Sequence, residues 1–158
     1  MLLVFGLFLF LVGAGLILLL PALWGEQIYR TYRDGRIKLW VTSRALGFRR
    51  EHASMFQTGS YMPLFASGDK HEHVCAFARR QGHEAALVAV PRLTYKLTSG
   101  ETCPPTGGGW GNTELPVPQG TTTLRDLFTG REFRPGATGT LLCRELFAHF
   151  PVALLACR

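Results

Sequence analysis

The sequence predicts a mainly β protein: an antiparallel β-sandwich preceded by an amphipathic helix and an N-terminal apolar helix of transmembrane type. Three observations lead there. Past Phe56 the chain breaks into short apolar runs separated by Gly, Pro, Thr and Asp, the pattern of strands joined by turns. Between Asp34 and His52, apolar residues recur at helical spacing instead. Ahead of both lies an uncharged run from Leu2 to Leu20. The expected division is an apolar helix over 1–24, a juxtamembrane linker over 25–33, a helical segment over 34–55 and the sandwich over 56–158.

Composition agrees with a folded chain. Of 158 residues, 47% are hydrophobic and 18% charged, which excludes a disordered tail and a collagen-like repeat. The length holds one domain with an appendage, whereas a self-contained (β/α)₈ barrel needs about 200 residues or more. Seventeen Lys and Arg against eleven Asp and Glu give a net charge of +6. That sign is compatible with nucleic acid, an anionic lipid surface or an acidic protein partner and by itself chooses none of them; no nucleic-acid partner is expected. Four cysteines without a Cys-x-x-Cys pair do not make a disulfide framework, so a reducing compartment is expected. Cys75 and Cys143 sit in apolar runs and read as small core hydrophobes.

Taken in order, the run from Leu2 to Leu20 has about nineteen uncharged positions, roughly the thickness of a bilayer core at ~1.5 Å per residue. A signal peptide would carry basic residues before the run and a small-residue cleavage site, and neither is found. Trp24, Tyr29 and Tyr32 suit the headgroup layer. Arg30, Arg33, Arg36 and Lys38 then place the remainder in the cytoplasm, anchored to the inner face of the membrane. The competing reading is a displaced start or a fusion joint, with the basic cluster a solvated face.

Asp34 is the expected N-cap of a helix running to 52, with Ile37, Trp40, Val41, Ala45 and Phe48 as its apolar stripe and Arg36, Arg44, Arg49 and Arg50 mostly elsewhere around the axis. Gly47 weakens it by about 1 kcal/mol relative to alanine. The stripe requires a partner: the sandwich, a membrane or a second copy. His73–Ala78 and Ala85–Val90 are continuous apolar runs, expected as a hairpin of central strands covered on both faces and ended by Pro91. The stretch from Thr98 to Gly111, with Pro104, Pro105 and three successive glycines, reads as a loop. Further strands are expected over 113–117, 122–128, 132–134, 139–145 and 151–156, with Thr129-Gly130 turning between two of them.

Candidate chemistry is sparse. His71-Glu72-His73 sets two imidazoles close together, but His52, His83 and His149 do not complete a zinc set by spacing, so a solvated turn is expected and no metal site is assigned. The glycine triplet before Trp110 lacks the Gly-Lys-Ser/Thr ending of a phosphate loop, and no cofactor is implied. No nucleophile elbow is present. Glu101, Glu114, Asp126, Glu132 and Glu145 fall on different expected turns and strands, whereas glycoside chemistry needs two carboxyls at about 5–9.5 Å across one bond. No catalytic residue is assigned. Trp40, Tyr61, Tyr95 and Trp110 are candidate exposed platforms for a sugar ring, with Trp110 in its loop as the candidate substrate-binding residue and core packing as the alternative.

Several segments then carry a resemblance. DGRIKLWVTSRALGFRREHASMFQTGSYMPL from Asp34, HVCAFARR from His73, VPRL from Val90, WGNTELPVP from Trp110, LRDLFTGREF from Leu124 and LFAHFPVALLA from Leu146 resemble, in this order, the C-terminal end of the maltooligosyl trehalose synthases. This family of the α-amylase superfamily rearranges the reducing-end α-1,4 bond of a maltooligosaccharide to an α,α-1,1 bond, an intramolecular transglycosylation in trehalose biosynthesis. The resemblance implies that the segment from Asp34 to about Met55 is the last helix of a catalytic barrel and that the rest is the C-terminal sandwich packed on it. It implies a maltooligosaccharide or α-glucan as partner and the barrel as a missing one. The family's catalytic aspartates and glutamate lie upstream of the matched portion, and no position here corresponds to them. Two functions follow: a fragment of the enzyme that is inert alone, or a membrane-tethered glucan-binding or structural module.

Overall fold

The structure, a computed structural model, describes residues 35–100 and 105–158. Helix α1 (Arg36–Glu51) follows Gly35, which holds a left-handed conformation, and ends at His52, whose N–H still reaches the Phe48 carbonyl at 3.0 Å. A second, short helix α2 (Ala53–Gln57) turns the chain into the sheet. The strands are β1 (Ser60–Leu64), β2 (Val74–Gln81), β3 (Glu84–Pro91), β4 (Glu114–Pro116), β5 (Leu124–Asp126), β6 (Glu132–Phe133), β7 (Thr140–Leu142) and β8 (Ala153–Cys157). Two more single-turn helices, α3 (Thr94–Leu97) and α4 (Cys143–Leu146), and 3₁₀ turns at His71–His73 and Gly107–Trp110 complete the order. The fold is therefore mainly antiparallel sheet with few helices, as its sequence pattern predicts.

Six strands form one sheet in the order β1-β2-β3-β8-β5-β6, and β4 pairs with β7 in a separate ribbon. Register decides which residues share a face, because side chains alternate along each strand. Tyr61 lies opposite Arg79, Arg79 opposite Ala86, Ala86 opposite Ala156, and Ala156 opposite Arg125. That row crosses the sheet on one face. Pro63, Phe77, Val88 and Leu154 form the next row on the same face. Against it packs α1 through Phe48, with Ile37, Trp40, Val41 and Ala45 partly buried beside Phe128, Phe150 and Leu154. Of the three partners open to the helical stripe, the sheet is the one it uses.

The opposite face carries the larger core. Ala76, Leu87, Ala89, Leu124, Leu155 and Cys157 meet Leu115 and Leu141 of the β4–β7 ribbon, together with Trp110, Cys143, Leu146 and Phe147. The central hairpin β2–β3 holds its full register from Val74 opposite Pro91 to Gln81 opposite Glu84. Gly130 closes the β5–β6 turn at φ 73° and donates to the Asp126 carbonyl at 2.8 Å, so the Thr129-Gly130 turn is where the sequence places it.

Four differences have physical reasons. β1 was not expected, because Pro63 interrupts its pattern; as the edge strand it tolerates a residue without an amide hydrogen. The strand expected over 139–145 stops at Leu142, because Cys143, Leu146 and Phe147 at i, i+3 and i+4 all bury against the core once the chain turns helical. The strand expected over 122–128 is limited to Leu124–Asp126, because the Asp126 side chain bonds the chain into a turn at once. Cys75, expected in the core, is exposed: alternation puts it on the α1 side of β2, one step beyond Phe77 and away from the helix. Among the described residues no helix is long and apolar enough to cross a membrane. The expected apolar helix over 1–24, the linker over 25–33 and the Asp34 cap lie outside the described residues.

Candidate functional site

The α1 side of the sheet is where the molecule offers a surface to something else. Sixteen residues of helix cannot cover six strands, so α1 packs with Ala86 and Val88 of β3 and Leu154 and Ala156 of β8 and leaves β1 and β2 partly open. Between the helix and those strands lies a groove of about 620 Å³, lined by Val41, Ala45 and Leu46 from α1, Phe56 from α2, and Tyr61, Phe77, Val88 and Val90 from the sheet, among others. Tyr61 is 58% exposed and its ring stacks on Phe77 with centroids 5.2 Å apart. Leu46 at the helix edge is also exposed. At the inner end, the Arg79 guanidinium donates to the Phe56 carbonyl at 2.6 Å while its Nε is buried without an acceptor. This surface is aliphatic and aromatic with cationic corners. It can hold an apolar partner and has no pair of carboxylates with which to break a bond.

Across the helix is a second concavity, of about 400 Å³, between the second half of α1 and the β5–β6 hairpin. Arg44, Arg50 and Glu51 line it from α1, and Arg125, Asp126 and Gly130 from the hairpin. Asp126 is the buried acid among the described residues, and its surroundings explain it. One carboxylate oxygen accepts from the Phe128 amide at 3.2 Å and the other from the Thr129 hydroxyl at 2.5 Å. Burial pushes its carboxyl above the usual range, and these hydrogen bonds pull back only part of the way. The group organises its own turn.

The residues singled out by sequence part company here. Trp110, expected on a mobile loop as a sugar platform, is wholly buried: Gly107–Trp110 forms a 3₁₀ turn that drives the indole into the larger core, 4.8 Å from the Phe147 ring, with Nε1 donating to the Pro105 carbonyl at 3.4 Å. A fully enclosed ring leaves no face for a pyranose, so the expectation of an exposed Trp110 is corrected. Trp40, on the sheet-facing side of α1, is half-buried, while Tyr61 and Tyr95 are exposed, the latter by 78%. His71 and His73 do not converge, since one Nδ1 lies 2.9 Å from the Gly68 carbonyl and the other 3.3 Å from that of Arg92. Glu101 lies outside the described residues. Glu114 accepts from the Thr140 hydroxyl at 2.8 Å in the β4–β7 ribbon, a different sheet from that of Asp126.

Among the described residues two thiols, Cys143 and Cys157, are buried. Burial, and secondarily the charge of Glu114, pushes Cys143 up to about 12, and burial pushes Cys157 up to about 11. The groove is not legible in the sequence while His73–Ala78 is read as a strand covered on both faces. Read at period two, Cys75, Phe77 and Arg79 form one side, and that alternation would have marked an unevenly covered strand.

No protein-family model matches the chain. Two proteins of Mycobacterium tuberculosis, from strains CDC 1551 / Oshkosh and ATCC 25618 / H37Rv, bear the provisional name maltooligosyl trehalose synthase. Each is 41% identical over 118 residues, covering 75% of this chain and 13% of its own length. Among solved structures, a point mutant of maltooligosyltrehalose synthase from Arthrobacter ramosus is similar with a TM-score of 0.60 and 33% identity, over 86% of this chain and 17% of that one. The chain thus spans about one eighth of the length of the curated relatives it matches.

Proposed function

Because this chain is homologous to a segment of the maltooligosyl trehalose synthases, we propose that it is the non-catalytic end piece of such an enzyme, a C-terminal portion that supports a catalytic domain and does no chemistry alone. The carrying observation is the half-covered apolar face. A groove of about 620 Å³ between α1 and β1–β2 is a surface that a larger body completes. We read α1 as the counterpart of the last helix of the family's catalytic barrel and the layered strands behind it as the β-sandwich that braces it. The enzyme named by the relatives would work on maltooligosaccharides by intramolecular transglycosylation, which for a retaining mechanism requires two positioned carboxyls about 5–5.5 Å apart. Asp126 is used within its own turn, and no second acid lines its cleft except Glu51.

Incubation of the purified chain with maltopentaose tests this. Reducing ends remain constant if the reading is right; accumulation of a non-reducing product ends it.

A second reading has one observation in its favour. Tyr61, exposed and backed by Phe77, is a platform of the kind that holds a sugar ring, and with the apolar N-terminal segment as a tether the chain would serve as an α-glucan-binding module on the cytoplasmic face of a membrane. Affinity electrophoresis in amylose or glycogen separates the two readings: retardation that disappears in Tyr61→Ala supports the module, and free migration removes it.

A further inference from the structure

We propose that the cleft between α1 and the β5–β6 hairpin is a binding site for a small phosphate-bearing anion, held by Arg44, Arg50 and Arg125. The three guanidinium groups come from two elements and line one concavity of about 400 Å³. Helical spacing does not bring Arg125 to Arg44; the packing of Phe48 against Phe128 and Leu154 does, by seating the helix over the hairpin. Two ion pairs are found among the described residues away from here, His52 with Glu84 and His73 with Glu72, and none of the three arginines is engaged in one. Glu132 stands opposite Arg125 in the strand register and makes no ion pair with it. The acids facing the cleft are Glu51 at its edge and Asp126, whose oxygens accept from Thr129 and Phe128.

The site is rich in donors and short of acceptors. Arg44 lays its guanidinium over the Trp40 ring, 4.9 Å from the centroid, and its Nε is buried without a hydrogen-bond partner. A buried donor left unsatisfied is costly, and an oxyanion in the cleft that Arg44 lines supplies an acceptor. Phosphate is favoured because a planar fork of donors matches its oxygens in pairs, and because several like charges around a small recess gain most from a multiply charged ligand. The volume suits a small molecule or a headgroup and excludes a folded polymer.

The full chain is titrated with inorganic phosphate and with pyrophosphate by calorimetry, ionic strength being held constant with chloride, and in a separate arm with vesicles of phosphatidylcholine carrying or lacking phosphatidic acid. Saturable binding is expected, tighter for pyrophosphate than for phosphate. It weakens roughly tenfold or more in Arg125→Gln and in Arg50→Gln, the loss of one charge-assisted hydrogen bond each. Glu51→Gln tightens it, because an opposing charge at the edge of the cleft is gone, and Arg134→Gln on the exposed strand end leaves it unchanged. Arg50 is exposed, so its variant folds if α1 does, and circular dichroism verifies that. Saturation by the free anions assigns the site to a soluble ligand; selective retention on phosphatidic acid, lost in the same variants, assigns it to a headgroup. Failure to saturate in every arm, or equal affinity across the arginine variants, overturns the proposal.

Discussion

Trp110 shows how much a single side chain settles. Its exposed neighbours in the list of candidate platforms contribute little to stability, whereas its own indole fills the space between the sheet and the Cys143–Phe147 turn. Trp110→Ala is expected to cost about 3–5 kcal/mol in denaturant unfolding, and Tyr95→Ala less than about 0.5 kcal/mol. Gly59 is a second fixed point: a Cβ there would fall against the Met55 and Arg80 carbonyl oxygens, so Gly59→Ala is expected to lose about 1–3 kcal/mol by overpacking. For Asp126 the sign follows from burial. Its carboxyl titrates higher folded than unfolded, so the folded state binds the proton more tightly. That contribution is complete below the unfolded value near 3.8 and is lost as pH rises through the raised folded value. Asp126→Asn, which keeps an acceptor for the Phe128 amide, is expected to flatten this part of the pH–stability curve. Thiol labelling provides a fourth check: Cys75 reacts in the folded protein, while Cys143 and Cys157 react only on unfolding, as peptide mapping by mass spectrometry would record.

Elements with local signatures were legible, and those fixed by distant contacts were not. The stripe from Ile37 to Phe48 marks α1 within two residues at its start, and the β2–β3 hairpin, the Thr129-Gly130 turn and the closing strand are all written in hydrophobic runs and breakers. β1 was hidden because Pro63 is acceptable only at an edge, and edge position belongs to topology. α4 was hidden because the apolar run Leu141–Cys143 leads straight into it and reads as one strand, and only the burial of Cys143, Leu146 and Phe147 beside Trp110 favours the helical turn. The same division applies to the sites. Tyr61 and Arg44 stand out by residue type, but the groove beside one and the cleft beside the other exist only where α1 sits on the sheet. Phe48 holds that seat. Phe48→Ala is expected to destabilise by about 3–5 kcal/mol and to weaken anion binding with it, whereas Leu39→Gln, on the outer side of the helix, changes stability by less than about 0.5 kcal/mol.

As a whole, the molecule is a sheet with two unequal sides. One is closed by the β4–β7 ribbon and its turns into a complete core; the other is closed by a single helix and remains partly open. Completeness on one side lets so short a segment fold, and incompleteness on the other is what the proposed place beside a larger catalytic body requires. The most direct test is a graft: the matched segment of the mycobacterial relative is replaced by residues 36–158 of this chain, and conversion of maltopentaose to a non-reducing product is compared with that of the unmodified relative and of the relative lacking the segment. An end piece that braces a catalytic domain restores conversion in the graft to the level of the unmodified protein and leaves none in the deletion. A graft that is folded yet silent, or a deletion as active as the parent, would contradict the account.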